Sequence, residues 1–271
     1  MSAIKKAIYQ KLADTEAHYG VKIPLAIESG SRGWGFASPD SDYDCRFIYV
    51  HPRDWYLSVF DKSDTIDYAV DPVFDINGWD VKKVLQHIVK SNAVMCEWLC
   101  SNEIYIKNVE IAELLLGLAK DFFNPIAVSY HYVSIAKNKL GEIMAGSDAK
   151  LKHYLYVLRP IANLHYIHQY GTMPYMEYAK TLAETEPAPN ILAGINDLLQ
   201  AKAVSDESVR VKPNKMLIAY FQSEIEHFSE VLTQAKHEKN RDYARVDAVF
   251  KEIIERMWLD ADNGAATKTL L

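Results

Sequence analysis

The sequence lacks any long apolar segment. No uninterrupted run approaches the roughly 20 apolar residues that a membrane-spanning helix needs. Residues 1–13 mix charged and apolar side chains, so they lack the apolar core of a signal peptide. They predict an amphipathic helix instead, with its inward positions at Ile4, Ala7, Ile8 and Leu12. We therefore expect no membrane association.

Cysteine and positive charge are also scarce. The three cysteines, Cys45, Cys96 and Cys100, form no framework spacing, which predicts reduced thiols and a cytoplasmic protein. No second pair or nearby histidine completes a set of zinc ligands around Cys96 and Cys100. The net charge of −6 disfavours broad non-specific binding to nucleic acid, although a local basic groove remains compatible with it.

The first hundred residues predict strands and helices, and the rest predicts helices. Strands are expected at 21–28, at 43–50 and at 65–75, the last bent or broken near Asp71 and Pro72. Gly78 precedes a helix with a 3.6-residue apolar period. Further helices are predicted at 111–119, 126–144, 150–170, 215–236 and 242–260.

This change in pattern predicts an α+β chain of two parts. We expect an α/β core over residues 1–100, a helical domain over 101–262 and a flexible tail over 263–271. The cleft between the two parts is the default position for a ligand.

Gly30 and Ser31 follow the first predicted strand and precede a short turn or helix. A glycine lets the backbone approach a phosphate, whose oxygens the N–H groups and the serine hydroxyl can bind. Such pairs are more often plain turns. The pair therefore indicates a phosphate site only in combination with other features.

Asp42 and Asp44 supply such a feature. Side chains two residues apart on a strand point to the same face, so these carboxylates project together. They repel each other unless a cation or a proton lies between them, and Mg²⁺ prefers carboxylate and phosphate oxygens. Asp75 lies on a later strand that can bring a third carboxylate to the pair, and such a set can hold two cations.

A calcium-binding EF-hand loop is the competing interpretation, because Asp40, Asp42 and Asp44 alternate as its first ligands do. The sixth position would be Cys45 where that loop needs glycine, and the twelfth would be His51 where it needs glutamate. The flanking segments also predict strands rather than helices. The EF-hand is therefore disfavoured, and Asp40 is expected to shape the turn.

These features together resemble the polymerase-β-like nucleotidyltransferase superfamily, and within it a family of RNA-ligase-associated nucleotidyltransferases. The resemblance covers roughly residues 20–260 and is specific as a set. Its segments are GSR at 30–32, GF at 35–36, SDYD at 41–44, RFIY at 46–49, DINGWD at 75–80, EWL at 97–99, HY at 131–132 and KHYLYVLRP at 152–160.

The resemblance implies a catalytic, metal-binding set of Asp42, Asp44 and Asp75, with Gly30 and Ser31 on a triphosphate. It implies a small mixed β-sheet core with flanking helices, followed by a helical domain over the cleft. The expected activity is transfer of an NMP from an NTP to a hydroxyl or phosphate acceptor, with release of pyrophosphate. Mg²⁺, or Mn²⁺ in its place, would be the cofactor, and an RNA end, a protein or a small molecule the acceptor.

Five further residues are candidate nucleotide contacts. Arg32 and Arg46 flank the acidic pair, and Arg46 is equally suited to a structural ion pair and to a phosphate contact. Lys152, Tyr156 and Arg159 lie at i, i+4 and i+7, so they share one stripe of a helix. Two cations beside an aromatic ring can bind phosphate and stack a base, and the family pattern favours this role.

Two other functions remain open. One is a catalytically silent nucleotide-binding or regulatory module, against which the intact acid set argues. The other is a helical ribonuclease that uses Arg159 and His165, whose spacing arises readily by chance.

Overall fold

The computed structural model describes residues 2–68, 74–236, 238–258 and 269–270. The predicted tail, 263–271, lies outside the described residues except for Thr269 and Leu270, and the predicted break at Asp71 and Pro72 lies outside them too. None of the helices in the described ranges is both long and apolar enough to cross a membrane.

Most strands of the main, mixed β-sheet come from the first part of the chain. Its strands stand in the order β3-β4-β2-β1-β5-β8, with β2 and β4 parallel and the other neighbours antiparallel. A separate two-stranded ribbon joins β6 and β7. The strands are β1 Lys22–Glu28, β2 Tyr43–Val50, β3 Thr65–Asp67, β4 Phe74–Asp80, β5 Ile104–Lys107, β6 Ala149–Lys150, β7 Arg210–Val211 and β8 Thr269–Leu270.

Helices flank this sheet and make up the second part. They are α1 Ala3–Tyr19, α2 Gly30–Gly33, α3 Arg53–Tyr56, α4 Val81–Val89, α5 Ala93–Leu99, α6 Val109–Asp121, α7 Pro125–Met144, α8 Leu151–Tyr170, α9 Tyr178–Ala183, α10 Pro189–Val204, α11 Lys215–Gln234 and α12 Tyr243–Trp258. Asparagine side chains cap α5, α6, α7 and α11 by accepting from first-turn amides. The predicted α+β class, a mixed sheet with flanking helices, is confirmed.

Alternation along β2 sends its side chains to two different cores. Cys45, Phe47 and Tyr49 pack on one face with Ile8 and Leu12 of α1. The opposite face contributes to a core with α4, α5, α6 and α12 through Ile48 and Val50. The even-numbered positions, including Asp44, therefore lie on the face covered by these helices. The predicted inward position Ala7 is exposed.

The helix predicted after Gly78 is α4, and Gly78 itself lies within β4. Gly78 stands opposite Phe47 in the parallel ladder, and a Cβ there would lie 2.1 Å from the Phe47 ring. The helix begins at Val81, where the Asp80 side chain accepts from the Lys82 amide. The predicted strand 65–75 corresponds to β3 and the start of β4, and pairing with β2 continues β4 to Asp80.

The helical part packs around α8. Helices α7, α8, α10 and α11 share one core that includes Leu155 and Phe221. Helix α12 returns to the core beneath the sheet, and β5 continues the sheet beyond residue 100. Lys152 near the N-terminal end of α8 pairs with Glu207, which accepts from Ser38 and Ser41 in the loop that leads into β2. The region between this end of α8 and the sheet edge is called the cleft below.

Candidate active site

The parallel ladder between β2 and β4 places two carboxylates side by side. Asp44 stands directly opposite Asp75, and Asp42 is the exposed residue two positions before Asp44. Arg46 bridges the two strands, with its Nη2 2.7 Å from Asp75 Oδ2 and 3.3 Å from Asp44 Oδ1. The structure therefore brings together both Asp44 and Asp75 and the candidate cation Arg46.

The charge on Asp44 is only partly compensated. Burial raises the pKa of its carboxyl, Arg46 lowers it, and the charges of Asp75, Asp42 and Glu207 raise it further. Like charges gathered at a partly buried position favour an added cation. The edge of the sheet at Asp44 is thus an electrostatic site for positive charge.

Gly30 forms the wall of this site. Its φ is +60°, and a Cβ there would lie 2.0 Å from Asp44 Oδ2, so only glycine fits beside the carboxylate. Ser31 follows in α2 and is buried, while the Ser29 amide donates to the Asp44 carbonyl at 2.8 Å. The Gly-Ser turn and the acidic strand are therefore in direct contact.

Glu28 is a further acid that the sequence reasoning did not select. It is 4% exposed, its Oε1 accepts from the Asp44 amide at 2.7 Å, and its Oε2 accepts from the Tyr105 hydroxyl. Burial raises the pKa of Glu28 to about 7. Glu28 therefore fixes the start of β2 through the Asp44 amide. A lone acid at the end of an apolar strand gives no sequence signal of that role.

Arg32 holds the loop that leads into β2. Its Nη2 donates to the Ser41 carbonyl at 2.6 Å and its Nε to the Asp42 carbonyl at 3.1 Å. The guanidinium also stacks over the Tyr43 ring, 4.0 Å from the centroid. Arg32 thus fixes the backbone that presents Asp42.

Two of the predicted α8 residues face the acids across the cleft. Lys152 Nζ lies 3.0 Å from Glu207 Oε2. Burial raises the pKa of Tyr156 to about 12, with further contributions from the charges of Glu207 and Asp44. The rings of Tyr156 and Trp34 pack edge to face, with their centroids 5.5 Å apart.

Arg159 lies deeper than the other two. It is 5% exposed, its Nη2 is 2.6 Å from Glu97 Oε1, and its guanidinium lies 4.2 Å from the centroid of Trp34. Glu97 also accepts from the Tyr132 hydroxyl at 2.9 Å. The guanidinium is engaged by a buried carboxylate, which makes it a support for Trp34.

His165 has a separate partner. Its Nε2 lies 2.7 Å from Glu224 Oε2 on α11, whereas Arg159 pairs with Glu97 on α5. The structure does not bring Arg159 and His165 into a joint site. The alternative of a helical ribonuclease built on these two residues has no geometric support.

Carboxylate oxygens are the donors that the sheet edge offers to a divalent cation. Across the described part of the chain, no group of three or more histidine, cysteine or acidic side chains is preassembled in ligating positions. Mg²⁺ nevertheless suits the donor set, because it binds one or two carboxylates together with waters and substrate phosphates rather than a closed protein cage. Asp44 and Asp75, paired on adjacent strands, provide two such carboxylates, and Asp42 lies two residues before Asp44.

An acidic edge on parallel strands, with a glycine-serine turn against it and helices across a cleft, defines a protein of the nucleotidyltransferase type. The comparison with known families is more specific. Residues 4–252 match RlaP, the RNA repair pathway DNA polymerase beta family, and the chain belongs to that family. This agrees with the resemblance found in the sequence.

Individual relatives add little on activity. The chain is 35% identical over 257 residues to the uncharacterized protein YcgL of Bacillus subtilis (strain 168), covering 95% of this chain and 99% of that one. A solved nucleotidyltransferase-like protein from Exiguobacterium sibiricum 255-15 aligns over 94% of this chain and 80% of its own, with 9% identity and a TM-score of 0.31.

Proposed function

We propose that the protein is a Mg²⁺-dependent nucleotidyltransferase that moves an NMP from an NTP to a hydroxyl or phosphate acceptor and releases pyrophosphate. The observation that supports this most is the pairing of Asp44 with Asp75 on adjacent parallel strands, with Gly30 in contact with Asp44. Membership of a polymerase-β family gives the general class of activity.

The three carboxylates would hold the divalent cation. Mg²⁺, or Mn²⁺ in its place, would neutralise the triphosphate and lower the pKa of the attacking hydroxyl. The sheet fixes the backbone of Asp44 and Asp75, and the hydrogen bond from Arg32 to the Asp42 carbonyl fixes the backbone at Asp42. This leaves the exposed Asp42 carboxylate free to face substrate.

The remaining candidates divide between phosphate and base. Gly30 and Ser31 offer backbone N–H groups and a hydroxyl beside Asp44, and Lys152 offers an ammonium from across the cleft. Tyr156 presents an aromatic ring on the same side, suited to a nucleobase. Arg159 would act indirectly, by holding Trp34 against Tyr156.

An RNA end is the acceptor we favour, because the family description refers to RNA repair. A net charge of −6 argues against tight non-specific binding, so the acceptor would be recognised locally at the cleft. Three cysteines that are all free thiols fit a reducing cytoplasm, where such an acceptor is available.

The test is incubation of the purified protein with each α-³²P-labelled NTP, Mg²⁺ or Mn²⁺, and total cellular RNA. We expect metal-dependent label in RNA with wild type, and loss of label by about 10³-fold or more in Asp42→Ala/Asp44→Ala. The matched control is Asp197→Ala, an exposed acid on α10, which should label RNA as wild type does. Equal label from the double variant and wild type would refute the assignment.

One observation favours a second function. Arg46 already spans Asp44 and Asp75, so the acidic edge is partly closed by a residue of the chain itself. A catalytically silent nucleotide-binding module would show that arrangement. Metal-dependent NTP binding by calorimetry, without label transfer to RNA, protein or small molecules, would indicate this module.

A further inference from the structure

A cluster outside the acidic edge joins the helical part to the loop that precedes Asp42. Glu207 lies at its centre, between α10 and β7. Its Oε1 accepts from Lys202 Nζ at 2.5 Å, from Ser41 Oγ at 2.7 Å and from Ser38 Oγ at 3.1 Å. Its Oε2 lies 3.0 Å from Lys152 Nζ. The Glu207 carboxylate therefore contacts both the loop that precedes Asp42 and two lysines.

The loop from Ser38 to Ser41 is closed around this carboxylate. The Ser41 amide donates to the Ser38 carbonyl at 3.1 Å, and the Ser38 amide donates to Ser41 Oγ at 2.9 Å. The Glu207 amide donates to Asp40 Oδ2 at 3.0 Å. Because Asp42 follows at once, the position of its carboxylate depends on contacts made more than 160 residues away in sequence.

The two lysines differ in how firmly they are held. Lys202 is 2% exposed, and a buried ammonium is stable only when it is paired, so it cannot leave Glu207. The side chain of Lys152 is 28% exposed and contacts the other carboxylate oxygen. Burial raises the pKa of Glu207, but the hydrogen bonds from Lys202, Ser41 and Lys152 outweigh it and lower the pKa to about 2.

The charge balance of this cluster matters for the nucleotide. Two ammonium groups face the Glu207 carboxylate, and Asp40, which accepts from the Glu207 amide, supplies a second negative charge to the cluster. Lys152 is the partner that can exchange, because Lys202 alone already compensates Glu207. A triphosphate at the cleft can therefore recruit Lys152 without leaving a buried charge unpaired.

We propose that Glu207 is a positioning residue, which through its pair with the buried Lys202 holds both the loop that precedes Asp42 and Lys152 in place for the nucleotide. The proposal rests on the proposed nucleotidyltransferase function and assigns Lys202 and Glu207 to the same site. It also makes the catalytic geometry dependent on docking of the helical part against the sheet.

The test compares wild type, Glu207→Gln, the double variant Lys202→Met/Glu207→Gln, and the control Glu226→Gln, an exposed acid on α11. Three readouts are taken: NMP transfer against Mg²⁺ concentration, amide hydrogen exchange in peptides covering residues 36–44, and Tm. For Glu207→Gln we expect about 10–100-fold lower transfer at limiting Mg²⁺, a higher Mg²⁺ midpoint and faster exchange in 36–44. The control should match wild type in all three.

The double variant separates positioning from stability. It removes the buried ammonium together with its carboxylate partner, so no unpaired charge remains and its Tm should return to within about 4 °C of wild type. NMP transfer should stay slow and amide exchange in residues 36–44 should stay fast, because the loop no longer has the carboxylate that accepts its hydrogen bonds. Recovery of wild-type transfer and slow exchange in the double variant would overturn the proposal, as would a Glu207→Gln variant that behaves like wild type.

Failure of the proposed function would be recognised separately. If wild type transfers no nucleotide, calorimetry with ATP and Mg²⁺ replaces the activity readout, and the exchange readout is unchanged. Weaker ATP binding and faster exchange in Glu207→Gln would then support the positioning role alone. Unchanged affinity and exchange would refute it as well.

Discussion

Two arginine–carboxylate centres, one at the sheet edge and one between α5 and α8, differ in both exposure and charge balance. At the sheet edge, Arg46 contacts Asp44 and Asp75, whose side chains are 29% and 35% exposed. In the interior, Arg159 contacts Glu97, and the exposures of the two side chains are 6% and 12%. The first centre holds more acids than cations, whereas the second pairs them one to one.

This difference separates a binding site from a structural support. A buried one-to-one pair is costly to break, because the remaining charge has no water around it. A partly exposed centre with surplus negative charge tolerates exchange of its cation and attracts another. Arg159 should therefore govern stability, and Arg46 should govern affinity for cations and nucleotide.

The largest effect on stability is expected for Arg159→Met. The substitution leaves the Glu97 carboxylate buried without its cation and removes the stacking on Trp34. The free energy of unfolding in urea should fall by about 3–5 kcal/mol. Adding Glu97→Gln should recover part of this loss, because no unpaired charge then remains. A fall of less than about 1 kcal/mol in the single variant would show that the pair is not structural.

Asp80 extends the comparison to a buried carboxylate held by neutral donors. It is 1% exposed and accepts from the Tyr56 hydroxyl and the Lys82 amide, and burial raises its pKa to about 6. Because the pKa of Asp80 is raised in the folded state, this residue adds to the free energy of unfolding below about pH 4. That contribution is lost as the pH rises through 6.

Asp80→Asn should remove this loss. The free energy of unfolding of the variant, minus that of wild type, should rise by roughly 2–3 kcal/mol between pH 4 and pH 7. Urea titrations at several pH values measure it. Other acids titrate equally in both proteins and cancel in the difference, so a pH-independent difference would contradict the expectation.

Gly30→Ala changes the wall of the exposed centre. The new Cβ would meet Asp44 Oδ2 and would force an L-residue to φ +60°, so the carboxylate must move. We expect a loss of about 1–2 kcal/mol in stability and a larger loss in metal-dependent NTP binding. Gly20→Ala is the matched control, because Gly20 has the same φ of +60° but open space around it. Equal effects on NTP binding at both positions would argue against a role for Gly30 at the site.

Much of the fold follows from local patterns in the sequence. Strand β2 spans the predicted residues 43–50, and α7, α8 and α11 begin within one residue of their predicted starts, because period and caps are local signals. Strand β4 begins within the predicted segment 65–75 but continues to Asp80, because its second half depends on pairing with β2 and on the space that Gly78 leaves for Phe47. The hydrophobic period of a segment does not reveal which distant strand the segment pairs with.

The site divides in the same way. Spacing alone predicts Asp42 and Asp44 on one face, whereas the adjacency of Asp75 depends on strand order. Lys202 on α10 and Glu207 in the segment after it are distant in sequence from the acids and give no signal of this contact. Lys152, Tyr156 and Arg159 are predicted to share one stripe of α8, but burial increases along that helix, and Arg159 pairs with Glu97.

The smallest effect on stability is expected for Arg46→Met, and it tests the comparison from the exposed side. Water screens this centre, so the free energy of unfolding should change by less than about 1 kcal/mol. The loss of a competing cation should strengthen Mg²⁺ binding, so Mg²⁺ should raise the Tm of the variant more than that of wild type. Arg210→Met, which breaks an exposed pair with Asp148, should leave the Mg²⁺ response unchanged. A large loss of stability with a weaker Mg²⁺ response would instead make Arg46 a structural residue like Arg159, and the distinction between the two centres would fail.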